Sequence, residues 1–392
     1  MADDATDVLL DATTALIPPL LTALDALLHA GRYLNPPDVP ALAKQLAEFR
    51  GPLARGFEQF QAAPWPEHLE AFQTHSEQAA GHALQALDGF AGCAQHNNPT
   101  LAAYRAMGAC TRALEALYPV AFMLPPVNRF YLSEARRQDE TLQEKLLQSG
   151  MQGAGGGVIH ADNAAAERGG FSLYVPEYHD PATPAPLVVA LHGGSGHGRS
   201  FLWTWLIEAR SRGVIVLAPT ARDDTWSLMG PDVDTPNLLR MLDSVKSNWR
   251  IDDERMLLTG MSDGGTFAYL AGLRGDSPFT HLAPVSAAFH PMLLEGAGTG
   301  RLAGLPVYLV HGALDWMFPV DVARMARDAL TAAGADVVYR ELADLSHTYP
   351  REENARILGS VEWGNGGFCR VAVDRRLKIS ATTKQLEARW PS

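Results

Sequence analysis

Along residues 1–149 apolar positions recur at three- and four-residue steps, and no run shows the two-residue alternation of a strand. The pattern predicts helices over 4–16, 18–30, 39–49, 52–62, 66–94, 99–118 and 126–148. Pro18, Pro40, Pro52, Pro66 and Pro99 stand where such helices would begin, in the first turn that tolerates proline. Within 66–94, Leu69, Phe72, Ala79, Ala83, Leu87 and Phe90 form the stripe of a bundle helix. His68, His75 and His82 share another face at seven-residue steps. An axial separation of about 10 Å keeps two of them from sharing one metal ion, so they read as a polar flank.

The rhythm changes at Gly150. Residues 150–158 contain five glycines and read as a linker. Beyond them, short β-rich runs alternate with helical stretches. The runs are Phe171–Val175, Leu187–Leu191, Val214–Ala218, Met256–Thr259, His281–Ser286, Val307–Val310 and Val337–Glu341. The helical stretches cover 199–212, 235–248, 264–274, 320–333 and 351–360. Alternation of this kind predicts right-handed βαβ units and a mostly parallel sheet with helices on both faces. The expected organisation is an all-helical region over 1–149, a glycine-rich linker over 150–157 and an α/β domain over 158–392.

Composition narrows the classes. The 392 residues are 47% hydrophobic and 19% charged, enough for a packed core, and the net charge is −12. The acidic excess extends over both halves and speaks against a nucleic-acid or anionic-membrane surface. Cys93, Cys110 and Cys369 lack a CxxC spacing and cannot form a disulfide framework. The N-terminus is acidic where a secretory signal is basic, and Asp11, Pro18 and Pro19 interrupt its apolar run. These features predict a cytoplasmic chain with no membrane span.

The chemistry concentrates where strands end. The run Met256–Thr259 leads into Gly260-Met261-Ser262-Asp263-Gly264, a G-x-S-x-G turn with a helix directly behind it. Such a turn strains the serine and exposes its hydroxyl, and bulk two positions away on either side would collide. Ser262 is the predicted nucleophile. A serine hydroxyl needs a base. The run Val307–Val310 enters His311-Gly-Ala-Leu-Asp315, and the loop after Val337–Glu341 holds His347. Asp315 is therefore the predicted acid, with Asp321 its nearest competitor, and His347 the predicted base. The order Ser262, Asp315, His347 is that of the α/β-hydrolases. The run Leu187–Leu191 ends in His192-Gly193-Gly194, so the amides of Gly194 and Asp263 are the predicted oxyanion donors, with His192 an anchor of its loop. Loop position nominates Trp226, Met229, Phe289, Trp316 and Phe318 as substrate contacts. No metal constellation, P-loop or dinucleotide fingerprint is present in the sequence, so no cofactor is expected.

Residues from about 158 to 363 resemble the phospholipase/carboxylesterase and polyhydroxybutyrate-depolymerase/feruloyl-esterase-like branch of the α/β-hydrolases. Gly170–Pro176, Leu191–Gly194, Val216–Pro219, Ile251–Gly265, Val310–Asp315 and Ser346-His347 carry the resemblance. It implies an α/β-hydrolase fold and cofactor-free hydrolysis of a small-molecule or oligomeric carboxylic ester. Two features depart from it. Asp263 stands where relatives commonly carry Gln, Asn or Met, and its carboxylate is expected to be paired or turned outward. Residues 1–149 match no family; a cap over the cleft is the favoured reading, with a homodimer interface or a partner-binding module as rivals. The function expected is a serine carboxylesterase. The alternatives are a prolyl-oligopeptidase-like serine peptidase, and a non-catalytic interaction protein on a hydrolase scaffold.

Overall fold

The computed structural model describes residues 2–152, 155–298 and 300–360. The first six helices are α1 (Ala2–Arg32), α2 (Val39–Ala62), α3 (Glu70–Ala91), α4 (Pro99–Leu117), α5 (Pro125–Phe130) and α6 (Glu140–Gln152). Helix α1 runs unbroken through Pro18 and Pro19, and α2 through Pro52, where the sequence pattern places helix boundaries. The apolar stripes explain the continuity. Leu16, Leu20, Leu24 and Leu27 keep one face buried on both sides of the prolines, as do Phe49, Leu53 and Phe60 across Pro52. Burial of such faces outweighs the hydrogen bond each proline removes. The two helices also cross closely: a Cβ at Gly56 would stand 2.2 Å from the Ala15 carbonyl oxygen. The segment Thr6–Arg32 is long and apolar enough to cross a membrane by length and hydropathy, while its Leu16, Leu20, Leu24 and Leu27 are buried in the helical core.

The second half forms one eight-stranded sheet from β1 (Gly157–Ala161), β2 (Phe171–Val175), β3 (Ala185–Leu191), β4 (Ile215–Pro219), β5 (Ile251–Met261), β6 (His281–Val285), β7 (Pro306–Gly312) and β8 (Asp336–Leu342). The spatial order is β1-β2-β4-β3-β5-β6-β7-β8. β2 pairs antiparallel with both neighbours, and the pairs from β4 to β8 are parallel. The crossovers carry α7 (Gly198–Arg212), α8 (Asp234–Asn248), α9 (Asp263–Gly272) and α10 (Val320–Ala332), and α11 (Glu353–Ser360) follows β8. This is the α/β-hydrolase architecture expected from the sequence. β1 was hidden in the glycine run: α6 extends to Gln152 and a strand begins at Gly157, where a linker was expected.

Strand alternation feeds two cores, because successive side chains point to opposite faces. Leu187, Val189, Leu191, Ile215, Leu217 and Leu258 face one core with α8, α9 and α10. Val188, Ala190, Val216, Ala218 and Leu257 face the other, which continues through Trp203, Trp205 and Leu206 of α7 into the buried stripes of α1 to α4. The helical half and one face of the sheet therefore share a single apolar interior. A buried polar knot crosses the same boundary. Glu177 accepts from Arg210 Nε at 2.9 Å, from the Tyr174 hydroxyl at 2.8 Å and from the Tyr118 hydroxyl. Arg210 also donates to the Asn128 carbonyl at 3.1 Å. Cys93 and Cys110 are buried free thiols; Cys369 lies outside the described residues.

Candidate active site

Ser262 links the end of β5 to the start of α9 with φ 56° and ψ −122°. This left-handed conformation is costly for a residue with a side chain and persists only where its surroundings enforce it. They do so by close backbone approach. A Cβ at Gly260 would lie 2.5 Å from the Gly264 backbone, and a Cβ at Gly264 would lie 2.4 Å from the His192 carbonyl oxygen. The Ser262 amide donates to Val285 at 2.9 Å, and its carbonyl accepts from Thr266 at 2.9 Å. The hydroxyl is thereby fixed at the carboxyl edge of the central strands.

His347 lies beyond β8, and its Nε2 is 3.0 Å from Ser262 Oγ. Its Nδ1 stands 2.8 Å from Asp315 Oδ2 and 3.0 Å from Oδ1. Asp315 follows β7 and is held by the Met317 and Phe318 amides, each 2.9 Å from Oδ1. Burial works against its charge, but hydrogen bonds from His347 and these amides outweigh burial and hold the carboxyl below its usual range. Asp321, the competing acid, is exposed in the first turn of α10 and pairs with Arg324 at 2.8 Å. The structure thus brings together the three residues that the sequence singles out.

The loop after β3 is pinned from the β4 loop. The Ala221 amide donates to His192 Nε2 at 3.0 Å, so Nε2 is the bare nitrogen and Nδ1–H faces the Gly193 carbonyl at 2.7 Å. Burial pushes His192 down to about 4, against the pull of that carbonyl, leaving it a neutral anchor. Trp226 Nε1 donates to the His192 carbonyl at 2.7 Å, and the Ser195 amide donates to Asp224 at 2.8 Å. A Cβ at Gly193 would stand 4.0 Å from Ser262 Oγ. Among the described loop and cap hydrogen bonds, neither the Gly194 nor the Asp263 amide is a donor. The Asp263 carboxylate is paired: Thr225 Oγ1 donates to Oδ2 at 2.6 Å. The same oxygen lies 2.7 Å from where a Gly194 Cβ would be, so a side chain at 194 would have to displace that carboxylate.

The aromatic candidates divide. Phe318 packs edge-on to the His347 ring at 5.4 Å, and Trp316 beside it is 52% exposed. Trp226 and Phe289 are corrections: both are buried core. Trp226 stacks on Phe267 at 5.1 Å and Phe289 meets Tyr269 edge-on at 5.2 Å. Their loops do lie at the site edge, but their rings turn down into the interior. Met229 is 90% exposed and is surface rather than pocket wall. Sequence position missed Thr225 and Tyr104. Tyr104, on α4, donates its hydroxyl to the His347 carbonyl at 2.6 Å. No local signal marks a partner 243 positions away. His75 and His82 line a separate cavity of about 830 Å³ between the helical half and α7, with Arg112, Arg199 and Trp203; Ser262, Asp315 and His347 are not among its lining residues. Among the described residues no group of three His, Cys, Asp or Glu is placed to hold a metal ion.

Strand order, crossover helices and the strained turn at Ser262 define the α/β-hydrolase fold. No protein-family model matches the chain. It is 29% identical over 147 residues to the bifunctional acetylxylan esterase/xylanase XynS20E of Neocallimastix patriciarum, an alignment covering 36% of this chain and 21% of that protein. Similar solved structures include a thermostable esterase, at 22% identity and a TM-score of 0.40, covering 47% of this chain and 54% of that one. The substrate-bound serine hydrolase FphF of Staphylococcus aureus has 16% identity and a TM-score of 0.42, covering 52% and 95%. The chain spans about a fifth of the length of the curated relative and about half of the thermostable esterase.

Proposed function

We propose that this protein is a serine carboxylesterase. The observation that carries the reading is the unbroken hydrogen-bond chain from Asp315 through His347 to a strained Ser262. A carboxylate facing Nδ1 makes that nitrogen the donor and leaves Nε2 to accept the serine proton. Ser262 Oγ attacks the ester carbonyl, Nε2 takes its proton, and Asp315 stabilises the imidazolium that results. The Gly194 and Asp263 amides hold the tetrahedral oxyanion, aided by the positive end of α9. Nε2 then returns the proton to the departing alcohol. Water, activated by the same nitrogen, releases the acid and restores Ser262. The Asp263 carboxylate, which would oppose the oxyanion if left bare, has a hydroxyl donor in Thr225.

A p-nitrophenyl ester series of rising acyl length, with a dipeptide anilide as control, tests the class. Ester turnover without anilide cleavage supports the reading; the reverse favours a peptidase. The helical character of the N-terminal half, where such peptidases usually carry a β-propeller, argues for the ester. The name of the curated relative makes acetylated sugars the first natural-type substrates to compare.

A further inference from the structure

Ser262 and Asp315 sit at strand ends, where the sheet fixes them. His347 lies five positions beyond the end of β8, in a segment that the helical half reaches repeatedly. Tyr104 of α4 donates to the His347 carbonyl at 2.6 Å. The Thr348 hydroxyl donates at 3.0 Å to the carbonyl of Arg32, the last residue of α1. The Arg32 side chain, 14% exposed, pairs with Asp344 at 3.0 Å ahead of His347 and with Glu352 behind it. Two helices thus grip residues 344–352 from one side.

We propose that Tyr104 is a positioning residue for the base: it holds the His347 main chain so that the imidazole stays aligned between Asp315 and Ser262. The helical half is then a working part of the active centre and more than a cover. This rests on the reading of His347 as the base. The physical argument is geometric. An imidazole swings with its own backbone, and small misplacements of a reacting group cost rate steeply. Burial, with the negative charge of Asp315 adding to it, pushes the Tyr104 phenol up to about 12. It therefore remains a donor throughout the range in which a neutral imidazole can act.

The test is Tyr104→Phe, which deletes one oxygen and keeps the ring. The turnover number should fall about threefold to tenfold, the scale of one hydrogen bond, with KM within about twofold. The rate of inactivation by a fluorophosphonate, which also needs the base, should fall by the same factor. Thr348→Val, which cuts a second link, should lower both rates in the same sense. Arg50→Ala breaks a pair with Asp88 between α2 and α3 and should leave both rates unchanged. Wild-type rates in Tyr104→Phe overturn the proposal, as does an equal loss in Arg50→Ala, which would mean general loosening. If Ser262→Ala retains activity, the esterase reading itself fails; if it is inactive while Tyr104→Phe is unimpaired, only the positioning role fails.

Discussion

Gly264 and His192 meet backbone to backbone: a Cβ on the first would stand 2.4 Å from the carbonyl oxygen of the second. The turn that strains Ser262 and the loop that carries Gly193 and Gly194 are thereby locked as one unit. Gly264→Ala must push β3 away from α9, and overpacking of this kind costs about 1–3 kcal/mol. It should lower thermal stability and abolish most ester turnover together. Gly81→Ala, in α3 with nothing within 4 Å of the added carbon, should instead stabilise by about 0.5–1 kcal/mol. Calorimetry of the two variants checks both signs.

The acid and base should act as one device. His347→Ala and Asp315→Asn each should reduce turnover by a factor on the order of a thousand or more, and the double variant should be little worse than the worse single. Multiplicative losses in steady-state kinetics would mean that the two residues act independently. Asp321→Asn should be near wild type, because that carboxylate is exposed and paired with Arg324.

The strand ends were readable because they combine an apolar run with residue types that few other turns need. The G-x-S-x-G turn, the Asp after β7 and the His after β8 each announce themselves locally. What escaped detection depends on tertiary partners. β1 hides behind glycines and earns its strand character from pairing with β2. The continuity of α1 through Pro18 and Pro19 reflects packing that local propensity cannot register. Trp226 and Phe289 lie in loops at the carboxyl edge of the sheet, and only side-chain direction turns them from the candidate site into the interior. Tyr104 reaches the site through a contact between α4 and a loop 243 positions away.

The helical half should prove inseparable. Removing 1–149 would expose the side of α7 where Trp203 meets Tyr118 and Tyr131, and would strip Tyr118 from Glu177. A chain of residues 150–392 should lack a cooperative unfolding transition; a soluble fragment that unfolds cooperatively would contradict the shared core. In the full chain, Arg210→Ala leaves Glu177 buried without its counter-charge and should cost about 3–5 kcal/mol by denaturant titration.

Stability should depend on pH with a predictable sign. His192 and His281 are both pushed down to about 4 by burial. Between pH 4 and about 6.5 the unfolded chain binds more protons at these sites, so stability falls as pH falls through that window. Asp25 runs the other way: burial, partly offset by Arg137, raises it to about 6. Its contribution is complete below its unfolded pKa of 3.8 and is lost as pH rises through 6. Asp25→Asn should therefore exceed wild type by ~1–3 kcal/mol at pH 8, and the gap should close near pH 4. Thermal melts across that range give the answer.

The central claim, that Ser262 is an activated nucleophile served by His347, is tested most directly by covalent labelling followed by peptide mass mapping. Wild-type protein treated with a fluorophosphonate should carry one adduct, on the peptide containing Ser262. The adduct should be absent in Ser262→Ala and should form far more slowly in His347→Ala. An adduct on another serine, or ester turnover that survives in Ser262→Ala at more than a tenth of the wild-type rate, would contradict it.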